Sequence, residues 1–296
     1  MCSLPSEGRC TPGEACGRER GEPLILDLSK SSVARMYDYL LGGTDNYNVD
    51  RNACDELLRM APSTRELALV NRAFLVRAVR YLAQERGVRR FLDHGSGLPT
   101  SPNVHEVAQA VDPSCEVVYI DNDPVVAAHG KMSLAEDPST TAVLEMDMRK
   151  TDKIFESPQV KRLLRDDQPV AALFVSVLHC IRDADDPWRL VRRVADRLPA
   201  GSYMVISQLA SDDPALRAAI TGFMDTTTGG NWGEVRSLSE VNRLFEGLEL
   251  LEVADHKPVE VSLWYPDSDL APRQKSKEWI EYGGVALIKT APKQSA

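Results

Sequence analysis

Two short apolar runs, each ending in an acidic residue, constrain this sequence more than any other feature. The first run ends at Asp93 and is followed by Gly95 and Gly97, and the second ends at Asp121. Glycines after a strand let the backbone approach a nucleotide-like ligand closely, and an acid after the next strand can bind ribose hydroxyls. The two runs therefore predict a nucleoside-cofactor site at the carboxyl edge of an α/β sheet.

The spacing of the glycines bears on which cofactor such a site would hold. A dinucleotide site has the pattern G-x-G-x-x-G, in which the third glycine allows helix and strand to pack closely around a pyrophosphate. This sequence has Thr100 at the third position. A carboxylate at Asp93 would repel a pyrophosphate but could accept hydrogen bonds from an ammonium group. S-adenosylmethionine carries both an ammonium and a sulfonium, so these residues favour it over NAD, which stays open as an alternative.

Composition and charge limit the partners of the protein. The net charge is -9 over 296 residues, which disfavours nonspecific binding to nucleic acid or to an anionic membrane, because both need clustered Lys and Arg. No apolar run approaches the ~20 residues of a membrane span, and the N-terminus lacks a signal-peptide core. The six cysteines include no C-x-x-C pair, so neither a zinc knuckle nor a disulfide framework is predicted. We expect a cytoplasmic protein without a metal site.

The chain divides into three predicted segments. Residues 1–28 are rich in Gly, Pro and alternating charges and are expected to form a disordered leader. Residues 29–88 are predicted to form an N-terminal helical cap of two helices, because apolar residues recur at helical spacing after Ser32 and Ser63 begins a capping box. Residues 89–292 are predicted to form the core domain, with insertions on the substrate side.

From residue 89 onward, strand and helix patterns alternate. Late helices are predicted near residues 187–198, 214–225 and 238–246. Strands are predicted near residues 89–93, 116–121, 142–146, 170–177, 202–208, 248–254 and 284–290. This alternation predicts an α/β fold with a doubly wound, mostly parallel, seven-stranded Rossmann-like sheet. Ligands of such sheets bind at the carboxyl ends of the strands, where the strand order reverses.

Several segments of the sequence match one family when they are taken together. They are ARMYDYLLGGTDNY at 34–47, NRAFL at 71–75, GSGLPT at 95–100, NVHE at 103–106, YIDNDP at 119–124, VLH at 177–179, DDP at 185–187 and PAGSY at 199–203. Through them the chain resembles a class I S-adenosylmethionine-dependent methyltransferase. It resembles more closely the actinobacterial S-adenosyl methyltransferase family, long described only as a domain of unknown function. His94 departs from the pattern, since an aliphatic residue is expected between the acid and the first glycine.

The resemblance implies roles for the residues around the glycine loop. Asp93 and the backbone at Gly95 and Gly97 would face the methionine moiety of S-adenosylmethionine. Asp121 would accept hydrogen bonds from the two ribose hydroxyls, which the paired oxygens of a carboxylate can do. Asn122 would flank the adenine.

Two further segments are expected to contribute contacts. After the third strand, Asp147 is placed for the adenine amino group and Met148 for the face of the ring, although Asp147 could instead cap the following helix. Near the N-terminus, aromatic residues alternate with acids around a pair of glycines, which suits a lid over a cationic cofactor. Asp45, Asn46 and Tyr47 are the predicted contacts there, and an amphipathic helix that packs on the sheet is the alternative.

His179 is the candidate catalytic residue. It follows the fourth predicted strand, at the edge where the transferred methyl would lie, and imidazole titrates near neutral pH. It could therefore act as a general base, or it could only shape the pocket floor. Trp232, Trp264 and Tyr265 lie in the predicted insertions and could either line an apolar pocket or pack at the sheet edge.

These observations predict a methyltransferase that transfers a methyl group from S-adenosylmethionine to a small-molecule acceptor. A nucleic-acid acceptor is disfavoured by charge, and because the fourth strand leads into Ser176-Val177-Leu178-His179 instead of an Asn-Pro-Pro-aromatic motif. A protein that binds S-adenosylmethionine in a regulatory or scaffold role, without methyl transfer, is the alternative function. The sequence allows a homo-oligomer.

Overall fold

The structure is a computed structural model that describes residues 29–133, 137–253, 255–266 and 277–289. The leader predicted at residues 1–28 lies outside the described residues. Within them the helices are α1 (Val33–Leu41), α2 (Asn48–Met60), α3 (Thr64–Glu85), α4 (Val104–Gln109), α5 (Pro124–Ser133), α6 (Thr151–Glu156), α7 (Pro158–Leu163), α8 (Pro187–Ala195), α9 (Pro214–Thr227) and α10 (Leu238–Asn242). The strands are β1 (Arg90–His94), β2 (Glu116–Asp121), β3 (Thr141–Glu145), β4 (Ala171–Val175), β5 (Tyr203–Ala210), β6 (Leu248–Leu250), β7 (Val259–Glu260) and β8 (Ile280–Ile288).

These strands form one sheet in the order β3-β2-β1-β4-β5-β8-β6, with β7 paired to β8. Strands β1 to β5 are parallel, whereas β8 runs antiparallel to β5, β6 and β7. The predicted α/β fold with a doubly wound, mostly parallel sheet is confirmed. The described sheet has eight strands where seven were expected, because β7 is only two residues long and too short to show a periodic pattern.

The strand order indicates which edge of the sheet can bind a ligand. The strand order reverses between β1 and β4. From β1 the chain first adds β2 and β3 on one side, and then β4 on the other side. Open α/β sheets bind ligands in the crevice at such a point, outside the carboxyl ends of the strands. Because β8 is antiparallel to β5, its first residues reach this same edge, and Glu281 pairs with Leu209 there.

Both faces of the sheet are covered, as expected for parallel strands. Leu92 and Phe174 belong to the core cluster on one face, while Phe91 and Leu173 belong to the cluster on the other. All four side chains are fully buried. His94 is also fully buried, and its ring stacks on Phe174 with 4.3 Å between ring centroids. A flat aromatic ring therefore fills the place of the aliphatic residue that was expected there.

The N-terminal helices form a third core cluster with α9, Trp232 and Trp279. The structure corrects the prediction of two helices before the first strand, since α2 lies between the two that were expected. Its sequence is mostly polar, and its start depends on a reciprocal cap between Tyr47 and Asp50. The predicted capping serine of α3 has another role, because the Ser63 hydroxyl donates to the carboxylate of Glu278 at 2.6 Å.

Buried polar contacts tie these helices to each other and to the sheet. Arg35 of α1 forms an ion pair with Asp50 of α2 at 2.8 Å, and both side chains are buried. Ser32 donates to the carboxylate of Asp123 at 2.8 Å, just beyond β2. The helices are therefore fixed over the carboxyl edge of the sheet. Among the described residues, no helix combines the length and apolar character needed to cross a membrane.

Candidate functional site

The glycine loop after β1 has the backbone geometry that glycine permits. Gly95 and Gly97 have φ values of 70° and 66°, a region that other residues rarely adopt. The Gly95 amide donates to the carbonyl of Ile120 at 2.7 Å, and a Cβ at Gly95 would lie 2.2 Å from a methyl carbon of Val177. At Gly97, by contrast, a Cβ would meet nothing within 4 Å. The backbone at Gly97 therefore borders open space that a ligand can approach.

Asp121 at the end of β2 organises this loop. One carboxylate oxygen accepts from the amide of Gly97 and the other from the amide of Asp123, both at 2.9 Å. Burial raises the pKa of Asp121, and the hydrogen bonds from these backbone amides oppose the rise. Each carboxylate oxygen has a second lone pair, so Asp121 can accept two further hydrogen bonds from a ligand.

Asp93 is a buried carboxyl beside the loop. It is only 6% exposed, and burial raises its pKa to about 7, with Arg72 opposing the rise and Asp121 adding to it. A carboxyl in this state gains a partner when a cation enters the site, because an opposite charge favours ionisation. Asp93 is therefore suited to an ammonium group.

One cavity of about 620 Å³ connects these residues with the N-terminal helices. Its volume lies within the range of about 300–1,000 Å³ that is usual for small-molecule sites. The cavity brings together most of the predicted site residues: Asp93, Gly95, Gly97, Asp121, Asn122, Asp147, Met148 and His179. Residues from strands far apart in the sequence thus share one site.

Asp147 and Met148 lie on the wall of this cavity near the glycine loop. Asp147 binds Arg149, whose guanidinium donates to both carboxylate oxygens, and Arg149 also pairs with Asp185 at 2.8 Å. Burial acts to raise the pKa of Asp147, but the hydrogen bonds from Arg149 outweigh it and lower the pKa. An adenine amino group at Asp147 would have to share this carboxylate with Arg149. The helix that follows has Lys150 as its N-cap, so Asp147 is not its cap.

The structure does not bring Asp45, Asn46 and Tyr47 to the lining of the cavity. The Asn46 amide donates to the carboxylate of Asp38 at 2.7 Å and stabilises the turn between α1 and α2. Tyr47 is the N-cap of α2, and Asp45 lies at the surface, 3.5 Å from His129. The N-terminal part of the cavity lining comes instead from Ser32, the N-cap of α1, and from the first residues of α1 up to Asp38.

His179 lies deep in the same cavity. Its ring is 4.8 Å from that of Trp232, between centroids, and its exposed fraction is 2%. Burial and the positive charge of Arg236 lower its pKa to about 3. The imidazole is therefore neutral and a weak base at neutral pH. Its catalytic role stays a prediction.

The aromatic residues of the predicted insertions separate into different environments. Trp232 lines the cavity. Trp264 is fully buried in the core, where its ring meets Phe74 and Tyr81 edge-on. Tyr265 is 41% exposed, so only Trp232 of these three lines the site.

Sequence reasoning missed the most deeply buried acidic residue of this cavity. Glu281, near the start of β8, lines it and is 1% exposed. The available signal was an acid within an otherwise apolar run, between Ile280 and Tyr282. It was passed over because the last strand was expected to begin at residue 284, four residues after the observed start.

The fold and the glycine loop paired with Asp121 define a class I methyltransferase architecture. A family model described as S-adenosyl methyltransferase matches residues 19–289. The chain therefore belongs to the S-adenosyl methyltransferase family. It is an S-adenosylmethionine-dependent methyltransferase, and its cofactor is S-adenosylmethionine.

Two solved structures are similar over nearly the whole chain. One, from Thermobifida fusca, is described as a proposed methyltransferase; it is 38% identical, with a TM-score of 0.79, and the match covers 92% of this chain and 100% of that one. The other, a DUF574 family protein from Streptomyces avermitilis, is 36% identical with a TM-score of 0.79, covering 89% of this chain and 99% of that one. A search of curated proteins gave no match.

Proposed function

We propose that the cavity holds S-adenosylmethionine at its glycine-loop end and a small-molecule acceptor at the end nearest Trp232 and Trp279. The observation that carries this proposal is the buried Asp93 carboxyl beside a loop whose Gly97 amide is hydrogen-bonded to Asp121. Asp93 would bind the ammonium group of the cofactor, and Asp121 would bind its ribose hydroxyls. The open space at Gly97 supports close approach of a ligand to the backbone.

The adenine would lie against Asn122 and Met148, with its amino group toward Asp147. Met148 is 9% exposed and close to Gly95, so it offers an apolar surface for an aromatic ring. Arg149 would shift or share the Asp147 carboxylate when adenine is present. Asp45, Asn46 and Tyr47 stay predicted contacts and would need a movement of the turn between α1 and α2.

The bound cofactor supplies a methyl group activated by its sulfonium. The protein then has to align an acceptor with that methyl and exclude water, which can account for much of the rate increase. The start of α1 would align the acceptor and exclude water from the cavity, because it is anchored through Ser32 to Asp123 and through Arg35 to Asp50. His179 would form part of the acceptor wall, where its neutral ring can accept or donate one hydrogen bond.

A small molecule fits this cavity better than a macromolecule. Its roof is formed by helices held through buried contacts, and the chain has a net charge of -9, which opposes a nucleic acid. The cytoplasmic location, a homo-oligomeric state and the division into a cap at residues 29–88 and a core at residues 89–292 stay predictions.

Calorimetric titration with S-adenosylmethionine, S-adenosylhomocysteine and NAD, each on its own, tests the proposed site. We expect the two adenosyl ligands to bind with one site per chain and NAD to show no heat of binding. Binding of NAD with neither adenosyl ligand would refute the assignment of Asp93 to an ammonium group.

A further inference from the structure

Glu281 occupies an unusual place for an acidic residue. It lies on β8 opposite Leu209 of β5, at the carboxyl edge of the sheet, and it lines the cavity. Its side chain is almost completely buried, with 1% of the residue exposed. Buried acids are rare unless they are paired with a cation or serve the function of the site. Glu281 has no ion pair among the described residues, so the second reason applies.

The hydrogen bonds of Glu281 leave one carboxyl oxygen available. Its Oε1 accepts from the hydroxyl of Ser176, which follows β4. Its Oε2 has no hydrogen-bond partner within the part of the chain that the structure describes. The Ser176 amide is held in turn by Ser207, whose hydroxyl donates to Asn71 at 2.6 Å. Glu281 is therefore positioned from one side through Oε1, while its buried Oε2 keeps its hydrogen-bonding capacity unused.

Glu281 shares its cavity with buried apolar side chains, and burial controls its charge. Trp232, Trp279 and Met224 are buried side chains of the same cavity. Burial raises the pKa of Glu281 to about 8, and the hydrogen bond from Ser176 opposes the rise. The carboxyl is therefore mostly protonated at neutral pH before a ligand binds.

Three other titratable side chains of this cavity, Tyr37, His179 and Cys180, stay neutral near neutral pH. Tyr37, which feels the charge of Glu281, has its pKa raised by burial to about 12, and His179 is neutral because burial lowers its pKa to about 3. Burial also raises the pKa of Cys180 to about 12. Asp93, at the glycine loop, has its pKa raised to about 7 and can change its charge in this range. Arg72 lowers the pKa of both Tyr37 and Asp93, so its positive charge acts on the cavity as well.

We propose that Glu281 is the proton acceptor of the methyl transfer and that the sulfonium of the bound cofactor ionises it. This inference rests on the proposed function, because it needs S-adenosylmethionine in the cavity. A positive charge close to a buried carboxyl favours its ionised form. Glu281 would thus be ionised while S-adenosylmethionine is bound. The thioether of S-adenosylhomocysteine has no such charge, so Glu281 would take up a proton again in that complex.

The proposal also defines the class of acceptor. As the acceptor's oxygen or nitrogen bonds to the methyl carbon, the sulfur–carbon bond breaks and its electron pair stays on sulfur. The proton of the acceptor passes to Oε2 of Glu281 and then to solvent once the products leave. The acceptor is therefore a neutral hydroxyl or amine compound with an apolar body that fits the part of the cavity lined by Trp232 and Trp279. A carboxylate acceptor has no proton to give and would be repelled by Glu281.

Proton release during cofactor binding tests the inference without a known acceptor. Binding heats measured at pH 7 in buffers of different ionisation enthalpy give the number of protons released per ligand bound. We expect S-adenosylmethionine to release between about half a proton and one proton more than S-adenosylhomocysteine, because only the former carries the sulfonium. Glu281→Gln keeps the shape and the Ser176 contact but should abolish this difference.

Two further variants make the test decisive. Asp152→Asn removes a carboxylate that pairs with Arg193 at the surface, where neither residue lines the cavity, and should keep the wild-type difference. Ser176→Ala removes a contact that lowers the pKa of Glu281, so the extra release should move to higher pH. An unchanged difference in Glu281→Gln, or equal release by both ligands in the wild type, would overturn the inference. Failure of both ligands to bind would instead refute the proposed function.

Discussion

Replacing Asp93 with Asn should remove a pH dependence of cofactor binding that the structure predicts. The pKa of Asp93 is raised to about 7, chiefly by burial, and an ammonium group binds the ionised carboxylate. Affinity is therefore highest above this pKa and is lost as the pH falls below it. The ionised fraction of such a group is about 3% at pH 5.5 and about one half at pH 7.0, so affinity should rise about 16-fold over this interval.

S-adenosylhomocysteine is the ligand for this experiment, because it carries the ammonium but no sulfonium. Its dissociation constant is measured by calorimetry at pH 5.5, 6.25 and 7.0 for the wild type and for Asp93→Asn. The variant should bind about 10- to 150-fold more weakly at pH 7.0, which corresponds to ~1.5–3 kcal/mol for a lost charged hydrogen bond. Its affinity should be flat with pH.

A matched control separates Asp93 from the other carboxyl of the cavity. Glu281→Gln should keep the pH dependence, since Glu281 faces no charge on S-adenosylhomocysteine. If the 16-fold rise persists in Asp93→Asn, another group titrates and the role of Asp93 at the ammonium is refuted.

Three further predictions concern cofactor binding and the stability of the fold. Asp121→Ala should weaken S-adenosylmethionine binding at least tenfold, a loss of ~1.4 kcal/mol or more; calorimetry that finds unchanged affinity would contradict the ribose assignment. Gly95→Ala should lower the free energy of unfolding by ~2–4 kcal/mol, because the added methyl meets Val177 and φ is positive; a wild-type urea midpoint would contradict this. Asp93→Asn should stabilise the ligand-free protein by ~2–4 kcal/mol at pH 8 and by less at pH 5. The raised pKa of Asp93 favours folding below the pKa of the unfolded state, and that benefit is lost as the pH rises to about 7. Urea denaturation that shows no gain in stability at pH 8 would be inconsistent with a buried charge.

The parts of the fold that depend on local sequence could be predicted. Strand β2 was placed within its observed bounds, and β1 within a residue of them, because a buried parallel strand is a continuous apolar run. The glycine loop and Asp121 follow directly from these strand ends. The carboxyl ends of parallel strands lie at the same edge of a sheet, so the proximity of the glycine loop and Asp121 could be inferred from the sequence.

The residues that were missed depend on contacts between distant segments. Glu281 enters the cavity because β8 returns antiparallel beside β5, and nothing in its neighbourhood fixes that register. The pattern around Asp45 and Asn46 is the same for a lid as for a tight turn, and the structure has the turn. The sequence left open whether Trp264 lines a pocket or packs in the protein, and its contacts with Phe74 and Tyr81 show that it packs.

A crystal structure of the protein with S-adenosylhomocysteine tests the central claim most directly. We expect the ligand's ammonium group to lie within hydrogen-bond distance of Asp93 and its ribose hydroxyls to bind Asp121. Its sulfur should point toward the end of the cavity that holds Glu281. A ligand bound outside this cavity, or one whose ribose is away from Asp121, would contradict the central claim.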